Sequence, residues 1–476
     1  MRRLMTRAAV VVAAGAVAGT LGAAGVSAAG AEARAPQPAR TSSLAAARGL
    51  AVPGARLWVQ RYSGPGNGSD VANSVAVSPG GGTVFVTGTS AASDYLTVAY
   101  NAATGARLWT ARYNGPTNFD NHARAVAVSP DGATVFVTGD SSGGQGFLQD
   151  YATVAYRASD GTQLWVARFN GPASYYDDAT AVSVARDGTA VFVTGISWEN
   201  DNAGSMATVA YSASDGAQLW VKSWGALGAF YGGAAIVSPG GNRVFVTGHV
   251  QSKAFTGEYG TVAYNATTGA RLWARRYAGF GATSIAVSPD LARVYVTGST
   301  RDANISTLAY SARTGTRLWV RKYLRHRSDD RAYSVAVSPG GTVLVTGSIR
   351  GFAAGSNADY ATVAYSPGGA RLWARRYGGP GADIASAVAA PGNGKVYVTG
   401  TSWGGSVTRD DYATVAYNVR TGAQLWVRRY NGPARPRAHG GDSATALAAR
   451  GGRVFVTGGS TGTTSGDDFA TIAYNG

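Results

Sequence analysis

The segment Leu57-Trp58-Val59-Gln60-Arg61-Tyr62 returns eight times in related forms, and this recurrence constrains the fold more than any other feature. The copies are centred on Trp58, Trp109, Trp165, Trp220, Trp273, Trp319, Trp373 and Trp426, 46 to 56 residues apart. Three further segments accompany each copy in fixed order, first seen as SVAVSP (Ser74 to Pro79), TVFVTG (Thr83 to Gly88) and YLTVAY (Tyr95 to Tyr100). Four short β-rich segments per unit of about 50 residues, separated by Gly, Pro, Asn and Asp, is the arithmetic of a four-stranded propeller blade. The expected fold is all-β: an eight-bladed β-propeller of four-stranded antiparallel blades.

Within a blade the strands are called A (VAVS), B (VFVT), C (LTVAY) and D (RLWVRRY), from the central channel outward. Strand A is built of Ala and Val, which suits the crowded axis, and the large aromatics fall in D, where blades splay apart. Stretches such as Ser129-Pro130-Asp131-Gly132 between A and B, and Asn101 to Gly105 between C and D, have tight-turn chemistry. The B/C and D/A connections then share the opposite face, called the loop face below. The first copy starts at strand D (Arg56 to Tyr62) and the last stops at strand C (Thr471 to Tyr474), so the N-terminal strand is expected to pair with the C-terminal blade and close the ring.

Ahead of the repeats, Arg2, Arg3 and Arg7 precede an apolar run from Ala8 to Gly25, and Val26-Ser27-Ala28 is a small-residue cleavage site. Residues 1–28 therefore read as a cleaved export signal that leaves no membrane span, residues 29–54 as a flexible Ala/Pro/Arg-rich linker, and residues 55–476 as the propeller, secreted or at the cell surface. The absence of cysteine rules out a disulfide framework, a thiolate metal site and a cysteine nucleophile. The formal net charge is +16, and 17 of the 42 Lys and Arg lie in D segments, among them Arg61, Arg112, Arg168, Arg276, Arg376 and Arg429. Charge there protects exposed outer strands from edge-to-edge association; the sharper alternative is a basic belt for an anionic polymer. Nucleic acid is not expected, since the belt matches no binding motif and export separates the chain from a genome.

The segment AYNAATGARLW (Ala99 to Trp109) resembles the tryptophan-docking motif of quinoprotein-type propellers, with Asn101 where that family usually has Asp. The whole unit is also similar to the secreted bacterial seven-bladed-propeller repeat, with its VTG-like B strand and an Asp-Tyr start to strand C, here Asp94-Tyr95. The resemblances span residues 55–476, and eight units match the quinoprotein count. The dehydrogenase members use an adjacent cysteine pair beside the quinone, which this chain lacks, and no set of calcium- and quinone-binding acidic residues is identifiable. The resemblance thus implies blade geometry and does not extend to the cofactor or its oxidation chemistry, so no cofactor is expected, pyrroloquinoline quinone (PQQ) included.

The eight repeated tryptophans, each with an aromatic four residues on, are expected to pack between blades. Asp70, Asn121, Asp177, Asp330, Asp383 and Asp442 shortly precede strand A, and Asp94, Asp150, Glu258, Asp359, Asp411 and Asp468 precede strand C. Both sets read as turn caps, against the alternative of a cation-binding ring. Glu199-Asn200-Asp201-Asn202 spaces oxygen ligands without completing a calcium loop, so no metal site is assigned. His122, His249, His326 and His439 read as isolated surface histidines, and no catalytic residue can be named.

Loop length is more informative. Between the VTG glycine and strand C there are six residues in blades 1 and 5, which face each other across the ring, and ten to twelve in the rest. The two tryptophans outside the repeat, Trp198 and Trp403, fall in the B/C stretches of blades 3 and 7, also opposite. These features suggest a groove open at blades 1 and 5, with Trp198 and Trp403 as stacking platforms and Glu199 and Asp201 beside it; the plainer explanation is internal duplication. The expected function is non-catalytic binding of an extracellular polymer or protein. The alternatives are an enzyme on the same face (hydrolase, lyase or quinoprotein-like oxidoreductase) and a structural scaffold.

Overall fold

The computed structural model describes residues 52–476 apart from 65–67, 118, 144–147, 201–202, 226–234, 238–241, 252–256, 303, 324–329, 351–356, 434–440 and 464. The described strands form eight four-stranded antiparallel sheets, one per blade. Blade 1 comprises Val71–Val77, Thr83–Thr89, Tyr95–Asn101 and Arg107–Tyr113, in the order A to D. Each strand A packs against strand A of both neighbouring blades, so the eight inner strands form a closed ring. Arg56–Tyr62 pairs antiparallel with Asp467–Asn475 and supplies strand D of blade 8. The ring is sealed by both ends of the repeat array, as the phase of the repeats requires.

Two sequence signatures have direct steric causes. Strand A bulges by one residue, as between Ala72 and Ser74, and pushes the Val71 carbonyl against strand B. A Cβ on Gly88 would stand 2.0 Å from that oxygen, so the VTG glycine is the residue that admits the bulge. Each repeated tryptophan is buried and reaches the next blade: Trp109 Nε1 donates to the Ala158 carbonyl at 2.9 Å, and its ring lies on Gly161, whose φ of 76° favours glycine. Trp426 lies on Gly54 in the same way, across the chain seam. Truncating one of these indoles is expected to cost about 3–5 kcal/mol. Strands B and C are further tied by a buried Thr–Thr hydrogen bond in every blade, such as Thr87–Thr97.

Candidate functional site

The Thr–Thr rung gives a common origin for measuring how far each B/C hairpin extends towards the loop face. Beyond it, pairing continues for two residue pairs in blades 1 and 5, ending at Thr89↔Tyr95 and Ser299↔Ile305. It continues for four pairs in blades 2, 4, 6, 7 and 8, ending at Ser142↔Gln149, Gln251↔Gly257, Arg350↔Ala358, Trp403↔Asp410 and Thr461↔Asp467. In blade 3 it runs on to Asn200↔Ala203. At about 3.4 Å per residue, six hairpins extend about 7 Å or more beyond the two short ones. About half of what the sequence offered as long loops is therefore paired strand, and more than half in blade 3.

The charged residues on this face pair with one another. The penultimate arginine of strand D meets the carboxylate before strand C of its own blade in six blades: Arg61–Asp468 (2.7 Å), Arg112–Asp94 (3.5 Å), Arg168–Asp150 (2.9 Å), Arg276–Glu258 (3.1 Å), Arg429–Asp411 (2.9 Å) and Arg376–Asp359. Cross-strand register explains the meeting, since Arg168 sits opposite Ala152, two residues from Asp150. The carboxylates before strand C are thus ion-paired partners rather than simple turn caps. The set before strand A does brace turns: Asp70 accepts the Gly64 and Ala91 N–H groups, and Asp442 accepts Gly432 N–H. Another set of D-strand arginines joins blades: Arg275, Arg321, Arg375 and Arg428 donate to carbonyls of Gly315, Gly369, Gly422 and Gly54. Much of the expected basic belt is therefore committed inside the ring.

At the inner end of blade 2, His122 and Arg124 on strand A converge on Asp140 of strand B. Asp140 is fully buried; His122 Nδ1 lies 2.7 Å from one carboxylate oxygen, and Arg124 Nε donates to the other at 2.7 Å. Burial alone would raise this carboxyl, but Arg124 with His122 outweighs it and holds Asp140 below the ordinary carboxylate value. His122 is consequently not an isolated surface histidine. The signal in the sequence was positional: Asp140 follows the VTG glycine where other blades have Thr89, Ile196, Ser299 or Ser348, and Arg124 occupies the strand A bulge. His249 is half-buried, and desolvation pushes its imidazole below the ordinary value; His326 and His439 lie outside the described residues.

With this geometry in hand, the family model described as Outer membrane protein assembly factor BamB matches residues 45–201 and 205–359, more than half of the chain. The chain belongs to this PQQ-like propeller family. No curated protein matches in sequence. Among solved structures, this BamB-family propeller is similar to a quinohemoprotein alcohol dehydrogenase from Pseudomonas putida HK5, with TM-score 0.57, 14% identity, 89% of this chain and 76% of that one covered. It is likewise similar to a europium-containing methanol dehydrogenase, with TM-score 0.58, 13% identity, 88% and 93% covered. At such identities the likeness is one of fold.

The PQQ-like family name points to a metal-held quinone, and the described residues do not bring its donors together. Such a group needs several convergent oxygen ligands, and among the described residues no cluster of three or more His, Asp or Glu side chains could hold a metal ion. Six loop-face carboxylates bind arginine instead, and Asp140 binds Arg124 and His122. Trp198 and Trp403 lie at the ends of extended B strands, paired with Gly204 and Asp410. Both are half-buried, and the Trp403 ring rests against Gly381. Glu199 is exposed on the blade 3 hairpin, and Asp201 lies outside the described residues.

Proposed function

We propose that this protein is a binding propeller that works outside the cytoplasm and holds an extended chain, a glycan or cell-wall polymer, across its loop face. The observation that carries the reading is the opposition of the two short hairpins, in blades 1 and 5, between taller hairpins on either side. A ligand lying along that line passes between blades 3 and 7, which carry Trp198 and Trp403; aromatic faces there suit the apolar faces of sugar rings. Tyr176, exposed beside Trp198, enlarges the aromatic surface on blade 3. The leader-like residues 1–28 and the family description of an outer-membrane assembly factor support a site of action beyond the cytoplasm. That description supports the binding reading, while the fold neighbours, both dehydrogenases, support the oxidoreductase alternative.

The test is a screen of the mature protein against glycans and cell-wall polymers at low and physiological salt. The reading expects binding that survives salt and is lost in Trp198→Ala with Trp403→Ala. Salt-sensitive binding that both substitutions leave intact would overturn the groove in favour of a charged surface. A quinone-induced absorbance change on adding PQQ with calcium would overturn the non-catalytic assignment.

A further inference from the structure

Five blades carry the same pair on the loop face: a serine two residues after the VTG glycine (Ser90, Ser141, Ser197, Ser402, Ser460) and an Asp or Asn before strand A (Asp70, Asn121, Asp177, Asp383, Asp442). In three of them a guanidinium is held in one repeated manner. Arg168 donates to Ser141 Oγ at 2.8 Å, Ser141 O at 2.7 Å, Asp150 at 2.9 Å and, across the blade boundary, the Tyr113 hydroxyl at 3.0 Å. Arg429 repeats this with Ser402, Asp411 and Tyr377, and Arg61 with Ser460, Asp468 and Tyr430. Blade 1 keeps the arginine as Arg112, 3.5 Å from Asp94.

Blade 3 alone among the five breaks the set. Ser223 stands in the arginine position, opposite Ala207 in the register that sets Arg168 opposite Ala152. Ser205 replaces the carboxylate before strand C, and Phe169 replaces the neighbouring tyrosine, so the groups that served the arginine changed together. The acceptors behind it did not change. Ser197 and Asp177 remain buried side by side: a Cβ on Gly171 would lie 2.1 Å from Ser197 Oγ and 2.8 Å from Asp177 Oδ1. Asp177, at 0% exposure, accepts Gly171 N–H at 2.6 Å through Oδ2 and is hydrogen-bonded by the Ser197 hydroxyl, and among the described residues no cation is ion-paired with it. Ser223 itself is exposed, leaving a short side chain along the route by which arginine reaches the pocket in the other blades.

We propose that this pocket at the boundary of blades 2 and 3 binds a guanidinium group supplied by a ligand, in place of the arginine that blade 3 lacks. The ligand's guanidinium would donate to Ser197 Oγ and O and to Ser205 Oγ, with the Asp177 carboxylate behind them and the Phe169 ring offering a face to a planar cation. Burial pushes Asp177 up to about 6 despite hydrogen bonds from Gly171 N–H and the Ser197 hydroxyl, and the Asp150 charge nearby adds to the rise. The inference stands apart from the glycan groove, because its ligand is a small cation and its residues are different.

Thermal unfolding of the mature protein tests it, with methylguanidinium chloride compared with methylammonium and sodium chlorides at equal concentration, about 10 mM, below the denaturing range. The expected result is a melting temperature higher by about 2 °C with methylguanidinium alone. That response disappears in Ser223→Arg, whose own side chain fills the pocket, and in Asp177→Asn. An N-acetylated, C-amidated Gly-Arg-Gly peptide that acts at lower concentration than methylguanidinium identifies the source as an arginine side chain of a partner protein; equal potency identifies a free guanidino compound. A wild-type response no larger than with sodium, or an undiminished response in Ser223→Arg, overturns the proposal.

Discussion

Blades 2 and 3 are neighbours built to one plan, yet their loop-face chemistry differs. In blade 2 the Arg168 guanidinium satisfies Ser141, Asp150 and Tyr113 together, and Asn121 accepts the Gly115 N–H. In blade 3 the same backbone carries Ser197, Ser205 and Ser223, faces Phe169 at the end of blade 2 instead of a tyrosine, and has a buried carboxylate, Asp177, where blade 2 has a neutral amide. The backbone is indifferent to the exchange: register around Ser223 matches that around Arg168. Repetition therefore preserves positions, and charge compensation at those positions is set blade by blade. One blade closes its network internally, and the other leaves a carboxylate dependent on its surroundings.

The comparison breaks most severely at Arg168. Replacing it with Ala strands the mostly buried Asp150 together with Ser141, and unfolding by denaturant is expected to register a loss of about 3 kcal/mol. Asp177→Asn gives blade 3 the amide of blade 2. A carboxyl raised in the folded state binds protons more tightly there than in the unfolded chain, so wild-type stability falls as pH rises from about 4 through about 6. The Asn variant is expected to be the more stable by on the order of 2 kcal/mol at pH 7, with the advantage vanishing by about pH 4; a pH-independent difference would contradict the raised carboxyl.

Transplanting the blade 2 network by Phe169→Tyr, Ser205→Asp and Ser223→Arg together should stabilise by about 1–2 kcal/mol, read as a rise in melting temperature. Ser223→Arg alone should achieve less, because its partners are missing. At the bottom of the scale, Ser223→Ala should change stability by less than about 0.5 kcal/mol, since the exposed hydroxyl replaces nothing in the fold. A large effect there would mean that blade 3 has its own closed network.

The ring was legible because the evidence for it is periodic. The tryptophan spacing, the VTG glycines and the displaced first strand each follow from contacts that every blade must repeat. The ion pairs were half legible: arginines and acidic residues are present in the same six blades and both turn to serine in blade 3, but the partners lie 17 or 18 residues apart, or across the chain ends for Arg61 and Asp468. Reading them as separate sets concealed the pairing, which needs the C/D register. Likewise, the distance from Gly195 to strand C cannot tell a loop from a hairpin, and only pairing reveals that Trp198 faces Gly204 across two strands. The trio of His122, Arg124 and Asp140 left no periodic trace because it occurs in one blade.

By itself the sequence determined the number of blades, their strand order and the way the ring closes, because those follow from local patterning and close packing that any unit must satisfy. Tertiary structure alone decided which charges neutralise one another, how tall each hairpin stands, and where a carboxylate is buried without its arginine. Those outcomes depend on distances between strands that are remote in the chain, and electrostatic energy and desolvation respond to such distances far more steeply than to composition.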